Sequence, residues 1–584
     1  MKRAVLTVLL LVFILGTMSA AYVYYYFNIR PNDKVVPAFI EGELALIIEG
    51  ESITSKNKPQ ILEGEVLLPL ETVKDHLDNN IFWDKTLEKV TITTKDRVIR
   101  MKTNNLDAIV NNKPMTLKIP VTLTKEVVYI PIEFLSDFYN IEVSYIETSN
   151  VIIIDHKDSI IRIAEPVKKD AVIRNGKTVR YPIIRKLDLT EEKPEKNLLS
   201  IFEEDDKWYR VRTWDGAIGF IEKRFVEVKS LPVEQTPEDK AVAESAWKPE
   251  TGKINLVWDM VYTPRTNHSS VGEMKGLDVI SPTWFQVLNA NGELINRAYP
   301  KYVEWAHENG YKVWALLSND FKDTEMTSKF LNNTDSRDNL IRQILAYASL
   351  YKLDGINIDF ENMNNTDREV FTQFIRELAP FLREQGLVVS VDVNDFKCYD
   401  KKALSEAADY IMYMSYDQHW STSPVAGSVA QITWVEEILV RVLQKEGVPK
   451  EKLLLGIPFY TRLWKHEKDT NGTIKLTSQA LSMDVAKKNI SENKAEVSWD
   501  EESGQFYAYY KKDNAEYKMW LEDSNSVNLR SALIQKYNLA GACIWARNFA
   551  SNDIWKTLEN NLKGIENYQE WVSNNRDLKY VYNK

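Results

Sequence analysis

Leu353-Asp354-Gly355-Ile356-Asn357-Ile358-Asp359-Phe360-Glu361 alternates apolar and polar side chains from Ile356 onward. A period of two is that of a β-strand, so Asn357, Asp359 and Glu361 share one face and Ile356, Ile358 and Phe360 the other. The apolar face needs cover from outer helices, which turns the polar face inward. Three inward polar groups are costly unless hydrogen-bonded. An ordinary barrel strand carries Val, Ile or Leu at such positions, so this strand reads as the wall of a site with Glu361 at its tip.

On both sides, short β-branched or aromatic strands alternate with helix-period stretches. The expected strands are Ile254-Trp258, Val279-Phe285, Lys312-Leu317, Gly355-Phe360, Leu387-Val393, Tyr410-Ser415, Lys452-Ile457 and Ala540-Trp545. Eight strands with helices between them over 254–565 predict a C-terminal (β/α)8 TIM barrel, with a doubly wound sheet as the alternative. The long gap before the last strand holds Glu496-Trp499, Gln505-Tyr510 and Tyr517-Glu522, a small α+β insertion. In a barrel of this kind, sites lie at the C-terminal ends of the strands.

Two inward carboxylates close together cannot easily both ionise, so one is pushed toward its protonated form. A protonated Glu361 is what a general acid needs to expel a sugar leaving group at neutral pH. Asp359, one layer deeper, can hydrogen-bond to Glu361 or to an incoming amide. The stretch resembles the Asp-x-x-Asp-x-Asp-x-Glu signature of glycoside hydrolase family 18, the chitinase-like hydrolases. It is most similar to the cell-wall and spore-cortex N-acetylglucosaminidase branch. Met414-Ser415-Tyr416-Asp417 resembles the family's Met-x-Tyr-Asp, and Trp545 its last-strand Trp.

The resemblance implies substrate-assisted catalysis with retention. Glu361 would protonate the glycosidic oxygen while the carbonyl oxygen of the sugar's own 2-acetamido group attacks. Asp359 would orient the acetamido N–H. Among substrate-binding residues, Tyr416 would hydrogen-bond the acetamido oxygen, Asp417 would bind the sugar near the acid, and Trp545 would floor the subsite. No metal and no organic cofactor is needed. Asn357 departs from the family's middle Asp; it is expected to keep a hydrogen bond to Asp359 without sharing a proton with it. Gly456-Ile457-Pro458-Phe459-Tyr460-Thr461-Arg462 resembles the family's Gly-x-Pro-x-Tyr segment, so Tyr460 and Arg462 are expected to line the cleft. Trp284 and Trp420 are expected as stacking platforms, and the strand-end pair Asn394-Asp395 as a ligand contact.

Met1-Lys2-Arg3 precedes an apolar run to about Phe27, so 1–34 reads as a membrane anchor with an outer tyrosine belt, or as a signal peptide cleaved near Ser19-Ala20-Ala21. Within 35–168 the segment Glu65-Val66-Leu67-Leu68-Pro69-Leu70-Glu71 is echoed by Glu126-Val127-Val128-Tyr129-Ile130-Pro131-Ile132-Glu133. Each copy continues into a helix-period stretch and a β-branched strand, a duplicated α+β unit. This module resembles the copper amine oxidase N-terminal-like domain, a name that carries no copper chemistry. Short strands over 169–229, with the turn Asp215-Gly216, resemble a bacterial SH3-like β-barrel, which implies either wall binding or a simple spacer. A Pro-rich polar linker, 230–253, leads to the barrel, and 566–584 is a C-terminal tail.

Lys and Arg number 74 against 84 Asp and Glu, and no basic run occurs, which argues against nucleic acid as partner. Cys398 and Cys543 permit one disulfide but no disulfide framework. The six histidines lack ligand spacing, so no metal site is expected. Together these features predict an exported glycosidase. Its partners would be a polysaccharide substrate (peptidoglycan or chitin-like glycan), the cell wall through the SH3-like module, and the membrane through the N-terminal helix. A chitinase acting on chitin oligomers, a lectin-like envelope protein and a structural envelope component are the alternatives.

Overall fold

The computed structural model describes residues 2–26, 30–159, 162–189, 194–230, 252–261, 272–468 and 474–582. Two compact units emerge, one holding the barrel (Phe82–Arg100, Val110–Asn112, Ala246–Lys584) and one holding most of the N-terminal half.

Eight strands build the barrel: Ile254–Asp259 (β1), Val279–Pro282 (β2), Lys312–Ser318 (β3), Gly355–Asp359 (β4), Val388–Val393 (β5), Tyr410–Tyr413 (β6), Leu453–Pro458 (β7) and Gly541–Trp545 (β8). Each pairs in parallel with the next, and β8 closes on β1 through Ile254 opposite Gly541. Ile254, Leu256, Trp258, Val279, Trp314, Leu316, Tyr410, Met412, Leu454 and Cys543 fill the interior. Trp314 stacks on Tyr410 with centroids 5.7 Å apart. That packing explains Gly355 at the base of β4: a Cβ there would meet Trp314 at 2.7 Å and the Val388 carbonyl at 2.8 Å.

On the outside of β4, Ile356, Ile358 and Phe360 join the shell between sheet and helices. Helix Arg368–Glu384 covers them; Phe360 lies 5.6 Å from Phe371 and 5.7 Å from Phe374, centroid to centroid. Burying each such ring contributes about 1.5–3 kcal/mol, and truncating one to Ala costs about 3–5 kcal/mol. The alternation read from the sequence is thereby resolved into an outer apolar and an inner polar face. Cys398 and Cys543 are both buried and free, so the disulfide left open by the sequence does not form.

Between β7 and β8 stands a five-stranded antiparallel sheet with helix Met483–Glu492. Three of its strands match the expected insertion. Two do not: Thr461–Lys468 and Ile474–Leu481 pair as a hairpin, and the charged run Lys465-His466-Glu467-Lys468 hid them. Arg462 consequently belongs to the insertion and not to the tip of β7. The C-terminal tail is also ordered against this sheet, where Tyr580 stacks on Trp499 at 3.7 Å.

Phe82–Arg100 packs with the barrel. The Thr334 backbone N–H and hydroxyl both donate to Asp84, at 3.0 and 2.8 Å. Arg100 pairs with Asp338 at 2.5 Å and with Glu377 at 3.1 Å.

In the other unit the sequence repeat becomes a pairing of the two copies. Glu65–Pro69 and Val127–Pro131 lie antiparallel, with Leu68 opposite Ile130. Ala45–Ile48 and Val151–Ile154 run parallel in a second sheet. Seven strands between Arg162 and Ser230 form a further sheet over Ala164, Ile173, Leu199, Val211 and Ile221. Its first strand, Arg162–Pro166, begins before the expected 169 boundary. Lys2–Tyr24 is one helix, whose stretch Leu6–Tyr24 has a mean hydropathy of 2.2 and is long and apolar enough to cross a membrane. The expected linker 230–253 lies almost wholly outside the described residues.

Candidate active site

β4 delivers Asn357 and Asp359, both buried, and Glu361 just beyond its end. The tip is held by residues that follow two neighbouring strands. Asn319, buried at the end of β3, accepts the Glu361 N–H at 2.9 Å and donates to the Glu361 carbonyl at 2.8 Å. The Tyr399 hydroxyl donates to the Phe360 carbonyl at 2.7 Å. The general-acid candidate thus sits on a backbone fixed from both sides.

Burial, reinforced by the charge of Asp417, raises the Glu361 carboxyl to about 7. Asp359 is pushed well above the usual carboxylate range by burial, then by Glu361 and Asp392. Its Oδ1 is buried with no hydrogen-bond partner. Burial also lifts Asp392 on β5, against the hydrogen bond from Asn357 that favours its charge. Tyr416, after β6, has its phenol raised by burial and then by Cys543, Asp392, Glu361 and Asp359, so it remains a donor. Asp417 follows with a left-handed φ of 60°, a conformation that Asp tolerates better than most residues. Trp545, half-buried at the end of β8, lies 5.9 Å from Trp258, centroid to centroid.

Four expectations need correction. Asn357 does not serve Asp359: its amide donates to Asp392 at 2.6 Å and to Ser390 at 3.2 Å, and its carbonyl accepts from Trp258 at 2.8 Å. Trp284 is no stacking platform, being 1 % exposed in the outer shell and edge-on to Tyr302 at 5.2 Å. It stands between Val279–Pro282 and Phe285–Val287, two segments that both pair in parallel with β3, and its side chain lies on the outer side of that wall. Tyr460 is buried and donates its hydroxyl to Asp417, so it orients that acid and offers no open surface to a ligand. Asn394 closes a turn by accepting the Phe396 N–H at 2.9 Å, and Asp395 pairs with Arg441 and Tyr413. Arg462 lies 3.9 Å from Asp417, and Trp420 is exposed.

Sequence reading missed Asp392, Asn319, Trp258 and Tyr399. Asp392 had a signal: Val388-Val389-Ser390-Val391-Asp392-Val393 shows the same alternation as β4, with Ser390 and Asp392 on one face. Asn319 had none, because it acts on backbone atoms 42 residues away.

Residues 261–550 match Glycosyl hydrolases family 18 and residues 47–154 match the Copper amine oxidase N-terminal domain. The uncharacterized glycosylase YvbX of Bacillus subtilis (strain 168) is 27 % identical over 292 residues, 47 % of this chain and 81 % of that protein. The cortical fragment-lytic enzyme of Bacillus subtilis (strain 168) is 24 % identical over 261 residues, 43 % of this chain and 59 % of that protein. The rat (Rattus norvegicus) di-N-acetylchitobiase is 25 % identical over 276 residues, 42 % of this chain and 72 % of its own. The crystal structure of the Bacillus megaterium QM B1551 spore cortex-lytic enzyme SleL superposes with a TM-score of 0.47 at 21 % identity, covering 58 % of this chain and 77 % of that one. The signature on β4, the Tyr416-Asp417 pair after β6 and Trp545 at the end of β8 all fall in the matched barrel: this chain carries a glycosyl hydrolase family 18 domain, preceded by a copper amine oxidase N-terminal domain.

Proposed function

We propose that the chain is an exported glycosidase that cleaves β-1,4-linked N-acetylglucosamine-containing glycan, with peptidoglycan or spore cortex as its substrate. The observation that carries this reading is Glu361: a carboxyl on a doubly braced strand tip, kept protonated up to about pH 7 by burial and Asp417. It donates its proton to the glycosidic oxygen as the bond to the sugar's C1 breaks. The acetamido carbonyl oxygen of the same sugar attacks C1, giving an oxazolinium-like intermediate that water opens with net retention. Asp359 holds the acetamido N–H and offsets the developing positive charge. Tyr416 donates to the acetamido oxygen, and Asp417, held by Tyr460, binds the sugar beside the acid. Trp545 floors the pocket.

The cortical fragment-lytic relatives favour a cortex or wall glycan, as do the apolar helix, read as a membrane anchor, and the sheet between Arg162 and Ser230, read as an SH3-like module. The chitobiase relative keeps chitin oligomers as the second reading. Mass spectrometry of products from purified peptidoglycan and from chitin oligomers separates the two. Glu361→Gln preserves shape and removes the proton; turnover is expected to fall by about 10²–10⁴-fold with glycan affinity retained. A loss below about tenfold removes Glu361 from the acid's role. Removal of residues 1–33 is expected to release an active protein from the membrane fraction, and retention there overturns the anchor.

A further inference from the structure

Asp392 is a buried carboxylate with no part in the scheme above. It is 1 % exposed, on the strand next to the signature strand. The β4–β5 register pairs Asn357 with Ser390 and Ile358 with Val391. One step further along both strands comes Asp359 beside Asp392, their Cα atoms about 4.8 Å apart as on any paired strands. Two carboxylates therefore share one inward layer beneath Glu361.

Asn357 decides how they share it. Its carbonyl oxygen accepts from the Trp258 indole at 2.8 Å and the Ser281 hydroxyl at 3.4 Å. With the oxygen committed to two donors, the amide group must face Ser390 and Asp392, where it donates at 3.2 and 2.6 Å. An amide can donate to Asp392 but cannot accept a proton from it, so it favours the charged form. Asp359 receives no such help at Oδ1. The other titratable groups that act on Asp392 or feel it are Glu361 on the β4 tip, Tyr399 after β5, Tyr416 after β6 and Cys543 on β8. All are acids, and none is a base that would neutralise a second negative charge.

We propose that Asp392 is a positioning residue for the reaction: Asp359 and Asp392 hold one proton between them, and Asn357 biases where it rests. In the empty site the proton lies on Asp359 and the charge on Asp392. Positive charge developing on the acetamido group favours the opposite distribution, with the charge on Asp359 and the proton on Asp392. Asp359 becomes the anion facing the oxazolinium and Asp392 becomes neutral, with no proton gained or lost by the pair. This rests on the substrate-assisted reading above.

The test uses the full chain, with hydrolysis of peptidoglycan and chitin oligomers followed against pH for Asp392→Asn and Asn357→Asp, and melting temperature followed against pH for the same proteins. Asp392→Asn is expected to lower kcat about tenfold or more, with KM changed less than threefold, and to displace a limb of the kcat profile by about one unit, a tenfold change in protonation. Asn357→Asp adds a carboxylate to the same contact and is expected to displace the profile as well while remaining active. A profile of Asp392→Asn superimposable on the parent's overturns the proposal; if that variant does not fold, an unchanged profile for Asn357→Asp does so. The melting curves need no turnover. A raised carboxyl pair costs stability as pH climbs, and Asp392→Asn is expected to flatten that decline. If the parent hydrolyses neither glycan, the functional reading has failed. Flattened melting then still marks the pair as coupled, whereas an unchanged decline overturns the pairing too.

Discussion

Asn319 and Glu361 are joined twice: the Asn319 side chain accepts the Glu361 N–H at 2.9 Å and donates to the Glu361 carbonyl at 2.8 Å. A side-chain amide has one acceptor and one donor group, which here meet the N–H and the C=O of one residue, atoms of two successive peptide units. The arrangement fixes the backbone of the proposed acid through main-chain atoms alone, without engaging its carboxyl. Asn319→Ala removes both bonds and is expected to lower kcat at least tenfold, since small misplacements of a catalytic group are expensive. KM should move less than threefold. Steady-state kinetics at pH 6 checks this, and a fall confined to KM would show that Asn319 serves binding instead.

Glu361 also trades stability for its protonated state. Its folded-state value of about 7 lies above the ordinary carboxylate range. A group raised in this way contributes fully below its unfolded value, and that contribution is lost as pH rises through the folded value. The cost therefore appears between about pH 4.5 and 7 and is complete above it. Glu361→Gln, which cannot ionise, is expected to melt at least about 2 °C higher than the parent at pH 8 and to show no advantage at pH 4. Calorimetry at the two pH values decides. Activity of the parent should decline as pH passes above about 7, where the acid loses its proton.

In the proposed mechanism Tyr460 acts through Asp417. Its phenol donates to that carboxylate, and hydrogen bonds to charged groups contribute about 1.5–3 kcal/mol. Tyr460→Phe keeps the ring against Phe549 and removes only the donor. We expect kcat/KM to fall about tenfold or more with an unchanged fold. An unaltered kcat/KM would mean that Asp417 needs no such support.

Glu377 anchors the outer shell of the barrel. It is buried beside Arg337, whose Nε and Nη2 donate to its two oxygens, each at 2.8 Å, and within 3.1 Å of Arg100. Burial alone would raise its carboxyl, but Arg100 and Arg337 bring it down to about 2. Glu377→Ala leaves the buried Arg337 guanidinium without its carboxylate and Arg100 with Asp338 alone, and should cost about 3–5 kcal/mol, read as a lower melting temperature at pH 7. The depressed value means that this stabilisation is present above the ordinary Glu range and lost as pH falls toward 2. The parent and variant should thus converge in acid, and a gap that stays constant to pH 2 would assign the loss to packing.

The local pattern around Glu361 was sufficient to place the fold. Alternation with period two told the inner face of β4 from the outer, because pleating sends successive side chains to opposite sides whatever the neighbours are. The remaining strands were legible for the same reason, and the motifs singled out Asp359, Tyr416, Asp417 and Trp545 as candidates, each at or just beyond the end of a barrel strand. Such signals are local. Trp284 looked like a platform because a strand-end Trp is chemically suited to sugars, yet its side chain falls on the outer side of the wall, buried against Tyr302. Asn357 looked like the partner of Asp359 from its own strand, yet the hydrogen bonds cross to Trp258 on β1 and Asp392 on β5. Asn319 shows no sign in the sequence of gripping a peptide 42 residues away. The sequence by itself determined which residues face inward, since that depends only on backbone geometry. Which of them touch was decided by the closed barrel, which brings β1, β3, β4 and β5 around one layer and sets each amide against its partner.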